Sequence, residues 1–259
     1  MKANWKIALM CLAMFAMVAC KDKNQPSSGS GSGQTSEQEQ PGKEGEDIFD
    51  YINPIEVNDQ SVEDWDKLDQ SKVAVANLSE RPLYEAIKQL KVYADSVCIY
   101  YMLVLNPAEL PSHTDVDAMH IYMDADNSDE TGGYWDQFDE KDKGNTDLMF
   151  EGPVWDADGN QISYAPSVSY WNGPLNGEGW LWAEQPVSNK VSASQFVGDS
   201  IIEGRLAIEL IPYKNWKDKF SIGFDIQQNF ESVGLIPQGN TPDGTLIGRS
   251  KKLLVTFDK

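Results

Sequence analysis

The stretch that decides the fold is "LKVYADSVCIYYMLVL", residues 90–105. In "LKVYAD" (90–95) apolar and polar side chains alternate, which is the pattern of a strand with one buried face. "VCIYYMLVL" (97–105) is a continuous apolar run, suited to a strand that is covered on both faces. The stretch therefore predicts two neighbouring strands in a protein built from sheets.

The rest of the region from residue 55 repeats this pattern in shorter form. Gly-, Pro- and Asn-rich breakers such as "WNGPLNGEG" (171–179) separate the apolar runs, and "DADGN" (156–160) is typical of a hairpin turn. Only "SERPLYEAIKQL" (79–90) predicts a helical turn or two. The other strand candidates are "KVAVANL", "MHIYMD", "DLMFEG", "QISYA", "VSYW", "GWLWAE", "GRLAIELI", "FSIGFDIQQ" and "KKLLVTF". Many short strands predict an all-β chain, a single β-sandwich of the jelly-roll type over residues 55–259.

The N-terminus predicts export and lipidation. Lys2 and Lys6 precede an apolar run (7–18) that is too short to span a bilayer, and "MVAC" (17–20) resembles a bacterial lipobox. We expect residues 1–19 to be a lipoprotein signal peptide and Cys20 to become the lipid-bearing N-terminus. The alternative is an ordinary cleaved signal, but such a signal has no need of cysteine at its boundary.

Residues 20–54 are predicted to be a flexible tether. They are rich in Gly, Ser and Glu and contain no Leu, Val or Phe before Ile48, a composition that behaves as a coil. The polar residues after Cys20 resemble export signals of surface lipoproteins in the Bacteroidota, diluted here by Lys21 and Lys23. We expect lipid anchoring in the outer membrane, with exposure at the cell surface as the further possibility.

Charge and cysteine content narrow the possible partners. The chain has 41 acidic and 21 basic residues, a net charge of −20. Nucleic acid requires a basic surface that releases counterions, so we expect no nucleic-acid partner. The same charge disfavours adsorption on an anionic bilayer, which leaves the lipid as the membrane contact. Cys98, the one cysteine outside the N-terminal region, lies in an apolar run and is predicted to be a buried hydrophobe.

The loop "HIYMDADNSDETGG" (120–133) concentrates carboxylates directly after a strand-like run. Calcium takes six to eight hard oxygens, and Asp124, Asp126 and Ser128 offer oxygens at alternate positions, with Asp129 beside them. We therefore assign a possible structural Ca²⁺ to these four residues. Zinc is not expected, because the cluster offers almost no nitrogen or thiolate.

Two interpretations of this loop stay open. An EF-hand is excluded, because Asp129 stands where that loop needs glycine and Trp135 where it needs a bidentate glutamate. One interpretation is a calcium loop that is completed from elsewhere in the chain, with Asp136, Asp139 or Asp147 as donors. The other is a solvated turn closed by Thr131 and Gly132.

Aromatic residues concentrate in the middle third of the chain. Sugar rings stack on flat aromatic faces while Asn, Asp and Gln read their hydroxyls, so "YWNGPLNGEGWLW" (170–182) is a candidate glycan platform. Neighbouring glycine and acidic loops indicate exposure of Trp135 and Trp171. We assign glycan contacts to Trp135, Tyr170, Trp171 and Asn172. The alternative is that aromatic residues of this region are core or strand-pair residues.

The sequence predicts no catalytic residues. A glycosidase needs two carboxylates about 5–10 Å apart, and among 41 acidic residues a chance pair carries little weight. The chain has no Gly-x-Ser-x-Gly elbow, no His-Glu-x-x-His and no phosphate-binding glycine loop. We therefore expect a protein that is not an enzyme.

The order of elements resembles a known family. "IEVNDQSVEDWDKLD" (55–69), the strand pair, "HIYMDADNSDETGG" and "TDLMFEG" (146–152) follow one another as in family 9 carbohydrate-binding modules and related DOMON-type sandwiches. "FSIGFDIQQNFESVGLIPQ" (220–238) is similar to late strands of Bacteroidota lipoproteins of this sort. One departure is "NDQ" (58–60) in place of the usual Asp-Gly turn. The resemblance implies the fold and a broad association with glycans, without a particular ligand.

Three functions remain. The leading hypothesis is a non-catalytic, lipid-anchored protein of the outer membrane that binds a polysaccharide or oligosaccharide, as part of an uptake system. The second is an envelope protein–protein interaction or structural module, which a flat apolar patch would favour. The third is a glycoside hydrolase, which two facing carboxylates in a cleft would favour.

Overall fold

Two antiparallel sheets enclose one apolar core, so the prediction of an all-β sandwich is confirmed. The computed structural model describes residues 53–133, 138, 145–174, 182–185, 187–239 and 251–259. The predicted signal peptide, Cys20 and nearly all of the tether lie outside these residues, as does Trp135.

The first sheet has five strands in the order β1-β2-β3-β9-β8. The strand pair read from residues 90–105 forms its centre, with Tyr93 opposite Tyr100. A tight turn joins the two strands. The side chain of Asp95 stabilises it by accepting hydrogen bonds from the backbone N–H groups of Val97 and Cys98, at 2.8 Å each. The strands are β1 (Ala74–Asn77), β2 (Ile87–Ala94), β3 (Cys98–Leu105), β8 (Ser192–Val197) and β9 (Ile201–Ala207).

The second sheet has seven strands, six of them in the order β11-β10-β4-β5-β6-β7. The seventh, β12, pairs with residues 219–222 of β10, and β11 pairs with residues 224–228 of the same strand. The strands are β4 (Ala118–Asp124), β5 (Leu148–Gly152), β6 (Ser167–Trp171), β7 (Trp182–Gln185), β10 (Lys219–Gln228), β11 (Glu231–Ile236) and β12 (Leu253–Thr256).

The predicted helical turn in residues 79–90 is wrong. Glu85 bridges to Gly234 and the N–H of Leu83 donates to the side chain of Gln238, so tertiary pairing overrides the local preference. The helix of the described chain is α1 (Asp64–Lys67), and single 3-10 turns occupy Gln70–Lys72, His113–Asp115 and Ile208–Leu210. No helix in the described ranges has the length and apolar character needed to cross a bilayer.

Alternation along each strand sorts the side chains between core and outer face. Met119, Ile121 and Met123 of β4 point into the core, so His120 and Tyr122 face outward. The outer face of the first sheet is covered by an N-terminal apolar segment that includes Ile55, Val57 and Trp65.

Asn53, two residues before the predicted start of the sandwich, makes side-chain contacts with its first sheet. The side-chain oxygen of Asn53 accepts hydrogen bonds from Tyr100 at 3.1 Å and from Arg205 at 2.8 Å. Asn53 therefore belongs to the sandwich, two residues before the expected boundary.

Cys98 is buried in the cluster on the same face, and burial raises the pKa of its thiol, which fits the hydrophobic role expected for it.

Candidate functional site

Three carboxylates converge where β4 ends and β5 begins. Asp124 ends β4, Asp126 follows it, and Asp147 precedes β5. The N–H of Asp147 donates to the carbonyl of Met123 at 2.9 Å, which holds the two strand ends together. Each carboxylate has an oxygen within 4.8 Å of the others, and all three residues are buried.

We call Asp124, Asp126 and Asp147 the acidic triad. Neutral groups donate hydrogen bonds to each of its three carboxylates. The side-chain amide of Asn145 donates to Asp124 at 2.9 Å, and the hydroxyl of Thr131 donates to Asp126 at 2.9 Å. The backbone N–H of Ala125 and the hydroxyl of Tyr213 both donate to one oxygen of Asp147, at 2.9 and 3.1 Å.

The electrostatics of the triad disfavour three negative charges at neutral pH. Burial raises the pKa of Asp124 to about 7, and the neighbouring charge of Asp147 adds to the shift. Burial raises the pKa of Asp147 to about 6, with Asp126 as the next cause. The positive charge of Lys252 lowers the pKa of Asp124. A divalent cation would relieve the same repulsion, and an all-oxygen donor set is the kind that calcium prefers.

The structure brings together some of the predicted metal ligands. Asp124 and Asp126 lie in the triad, and Asp147 completes it from elsewhere in the chain, which was one of the alternatives left open. Asp129 lies outside this group, whereas the backbone N–H of Ser128 donates to Asp124 at 3.3 Å. Asp129 is exposed, and the hydroxyl of Ser128 accepts from the N–H of Glu130 at 3.1 Å.

Within the described residues, the predicted glycan residues Tyr170 and Trp171 lie on opposite faces of β6. Tyr170 packs against the core from one side of β6, so the next residue, Trp171, points to the opposite face. Trp171 is 9% exposed, less than its neighbouring glycines indicated. A side chain on Gly133 would overlap its indole ring, and its ring N–H donates to the carbonyl of Pro174 at 3.0 Å. Asn172 is exposed.

A row of ionisable side chains, which the sequence reasoning missed, crosses the outer face of the second sheet. Asp225 on β10 is the register partner of His120 on β4, and His120 is the partner of Glu151 on β5. We call these three residues the polar row. The imidazole Nε2 of His120 lies 3.7 Å from a carboxylate oxygen of Glu151. On the other side, the amide of Gln227 donates to Asp225 at 2.6 Å.

Solvent exposure increases along the polar row from Asp225 to Glu151. Asp225 is fully buried, His120 is 6% exposed, and the side chain of Glu151 is 48% exposed. Among the described residues, Nδ1 of His120 and Oδ1 of Asp225 have no hydrogen-bond partner. Burial raises the pKa of Asp225 to about 6, whereas the interaction with His120 lowers the pKa of Glu151.

A buried apolar cluster lies beside the polar row on the same side of the second sheet. It consists of Tyr122, Phe138, Met149 and Leu235, with Tyr84 packed against it. The ring of His120 stacks parallel to that of Tyr122, with centroids 5.7 Å apart. The members of this cluster are only 0–6% exposed, and the most solvent-accessible member of the polar row beside them is Glu151.

The sequence did carry one signal for the polar row. In "MHIYMD" and "FSIGFDIQQ" every second residue is apolar and enters the core, while His120, Asp225 and Gln227 occupy alternate positions. The alternation marks them as outward-facing. Their meeting in one row depends on the register of β4 against β10, which the sequence does not provide.

Comparisons with known proteins add a distant likeness. No protein-family model matches the chain, and no curated protein matches it significantly. A family 9 carbohydrate-binding module from Caldicellulosiruptor kristjanssonii in complex with glucose is similar, with 10% identity and a TM-score of 0.34, over 76% of this chain and 80% of that one. A module of the same family and organism with cellotriose gives 12% identity and a TM-score of 0.30, over 72% and 81%. Likeness at this level carries no argument about ligand.

Proposed function

We propose that this protein is a non-catalytic β-sandwich that binds carbohydrate on the outer face of its second sheet. The polar row carries the proposal. Sugar hydroxyls both donate and accept, and imidazole and carboxylate groups can pair with either kind of partner. The row meets a ligand at its exposed end, where the side chain of Glu151 is 48% exposed and His120 retains 6% exposure, while the fully buried Asp225 lies behind them.

The position of the polar row also supports this proposal. Glu151, whose side chain is 48% exposed, is where the row reaches solvent, and the parallel rings of His120 and Tyr122 pack beneath it as buried support.

The binding proposal is tested on an array of plant and host polysaccharides. We expect at least one binder, with the signal reduced about tenfold or more by His120→Ala and by Glu151→Gln. Lys88→Ala, an exposed change on the other sheet, is the matched control and should bind as the wild type does. An array without any binder would overturn the proposal, as would undiminished binding by both variants when their melting temperatures match the wild type.

Hydrolysis is the second candidate function, because the pKa values of Asp225 and Glu151 shift in opposite directions. That is the pattern of paired acid and base carboxylates. We do not assign catalysis, since Asp225 is fully buried and one of its oxygens is held by Gln227. We expect no release of reducing ends from bound polysaccharide. Release that is lost in Asp225→Asn would establish the hydrolase.

We further propose that the acidic triad holds a structural Ca²⁺. Asp124, Asp126 and Asp147 supply three of the oxygens, and the ion would offset the burial and the mutual repulsion that together raise the pKa values of Asp124 and Asp147. Its effect would be to fix the loop after β4 to the start of β5. The alternative is a solvated turn in which Lys252 provides the compensating charge.

The membrane attachment is also a proposal. The lipobox-like "MVAC" and the coil-like residues that follow support a lipid anchor on Cys20 in the outer membrane, with the sandwich held away from the bilayer by the tether. A protein that captures glycan there would serve an uptake system. Cys20→Ser should move the protein from the membrane fraction to the soluble fraction. A variant that stays membrane-bound would contradict lipidation.

A further inference from the structure

The hairpin between β10 and β11 contains an aromatic residue in an unfavourable backbone conformation. Gln228 pairs with Glu231, so Asn229 and Phe230 form a two-residue turn. Their φ angles are 52° and 65°, as in a type I′ turn, in which the second position strongly favours glycine. For a bulky residue such as Phe230 this conformation is strained.

The side chain of Phe230 gains nothing from folding that would offset this strain. It is 85% exposed, and the other exposed large hydrophobic residues of the described chain (Val75, Leu83 and Leu254) do not exceed 50%. A position that breaks both the backbone preference and the rule of apolar burial is expected at functional sites.

The neighbouring residues hold the turn in place. The backbone N–H of Phe230 donates to the carboxylate of Asp117 at 3.0 Å. The N–H of Asp117 in turn donates to the carbonyl of Gln227 at 2.9 Å. The exposed ring is therefore presented from a fixed hairpin and not from a long loop.

Phe230 lies at the end of the strand that carries part of the polar row. Asp225 and Gln227 face outward from β10, and the strand ends at Gln228, three residues or about 10 Å beyond Asp225 at 3.3 Å per strand residue, with Phe230 in the turn that follows. This separation exceeds what one sugar ring covers. The groups around the tip are carboxylates and an amide, from Asp117, Asn229 and Glu231, which suit hydroxyls and repel an anionic bilayer.

We infer that Phe230 is an outlying stacking site for a sugar ring of an extended chain whose other part contacts the polar row. This inference rests on the proposed carbohydrate binding and specifies its ligand class. The protein takes an oligosaccharide or polysaccharide chain, and a monosaccharide engages the polar row alone. Stacking on an exposed, immobilised ring adds affinity at little entropic cost.

The test is calorimetric titration with fragments of β-glucan, xylan, mannan, starch and host glycans, each as monosaccharide and as hexasaccharide. Phe230→Ala should weaken hexasaccharide binding about two- to tenfold, the range expected for one aromatic contact, and leave monosaccharide binding unchanged. Val75→Ala, which removes another exposed apolar side chain on the other sheet, is the control. Phe230→Gly should weaken hexasaccharide binding equally while raising the melting temperature by about 2–4 °C, because glycine suits the turn.

The outcomes separate this inference from the proposed function. Equal hexasaccharide binding by wild type and Phe230→Ala, with binding still lost in His120→Ala, overturns the role of Phe230 and leaves the polar row intact. A lower melting temperature in Phe230→Gly shows that the ring is structural and also overturns it. If the wild type binds no fragment, the proposed function itself fails. Phe230-dependent capture of a protein and of no glycan identifies a protein-docking site and overturns the inference.

Discussion

His120 and Asp225 stand directly opposite each other on β4 and β10, and each keeps one buried polar atom without a hydrogen-bond partner in the described chain. A folded protein that leaves such atoms unpaired gives up stability. Such a loss of stability is expected at functional sites. The relationship therefore connects the stability of the sandwich to its proposed function, and it can be tested through the titration of Asp225.

Stability should fall as the pH rises through the pKa of Asp225. Its pKa is raised from 3.8 to about 6, so the folded state holds this proton more tightly than the unfolded state does. The stabilisation is complete below about pH 4 and is lost as the pH rises past about 6. The difference of about two pKa units corresponds to about 3 kcal/mol. His120, Tyr84 and Tyr122 are the ionisable neighbours that face this carboxyl.

The measurement is urea denaturation of the wild type and Asp225→Asn from about pH 4 to about pH 7. The amide does not titrate, so the variant should gain up to about 3 kcal/mol relative to the wild type over this range. Asp129→Asn removes an exposed carboxylate. Its free energy of unfolding relative to the wild type should therefore stay constant over this pH range. A constant difference between wild type and Asp225→Asn would contradict the raised pKa.

Calcium should stabilise the protein through the acidic triad. Binding to the folded state alone raises the melting temperature, and at a concentration of about one hundred times the Kd the gain is about 2.7 kcal/mol. We expect calcium to raise and EDTA to lower the melting temperature of the wild type. Asp147→Asn should remove most of the difference, because it deletes one of the three carboxylates.

Asp129→Asn is the matched control for calcium as well, since it lies in the same loop outside the triad. It should retain the full response to calcium. Identical melting of the wild type with calcium and with EDTA would leave the solvated turn as the correct interpretation. A response that disappears in Asp129→Asn and persists in Asp147→Asn would place the ion elsewhere.

Gly133 should be required for the packing of Trp171. A Cβ at this position would overlap the indole ring, and Gly133 is fixed by two backbone hydrogen bonds with Thr146, of 2.9 and 3.0 Å. Gly133→Ala should therefore displace the ring and cost about 1–3 kcal/mol in chemical denaturation. In a Trp171→Leu background the cost should shrink markedly, because the smaller side chain leaves room. Additive effects in this double-mutant cycle would contradict the contact.

The sandwich could be predicted because strand formation leaves a strong mark on the sequence. The apolar run of β3 and the alternation in β4 and β10 are visible without any tertiary information. The strand β8 was missed because "SASQFV" has small and polar residues at most of its positions. "QISYA" has strand-like residues but makes only an isolated bridge, Trp155 to Gln161.

The candidate site depends on relationships that one sequence does not contain. Asp124 and Asp126 are close in the chain and were found, whereas Asp147 joins them because β4 pairs with β5. His120, Glu151 and Asp225 come from three strands, and a shift of one residue in register would separate them. Phe230 was overlooked because its unusual features are a positive φ angle and a highly exposed side chain. Neither can be read from the amino-acid sequence.

Trp65 should stabilise the protein through its hydrogen bond to a buried carboxylate as well as through packing. Its ring N–H donates to Glu203 at 2.7 Å, and the amide of Gln195 donates to the other oxygen at 2.6 Å. Glu203 is fully buried, and burial raises its pKa while both hydrogen bonds lower it. Trp65→Phe keeps an aromatic ring in place and removes the donor, which should cost about 1–3 kcal/mol in urea denaturation.

The same change in a Glu203→Gln background separates the hydrogen bond from the packing. A neutral amide oxygen accepts a weaker hydrogen bond than a carboxylate does, so Trp65→Phe should cost less there, and the coupling between the two positions should be measurable. The pKa of Glu203 should also rise further in Trp65→Phe, which would steepen the loss of stability with rising pH above about 4. Equal costs in both backgrounds would assign the role of Trp65 to packing alone.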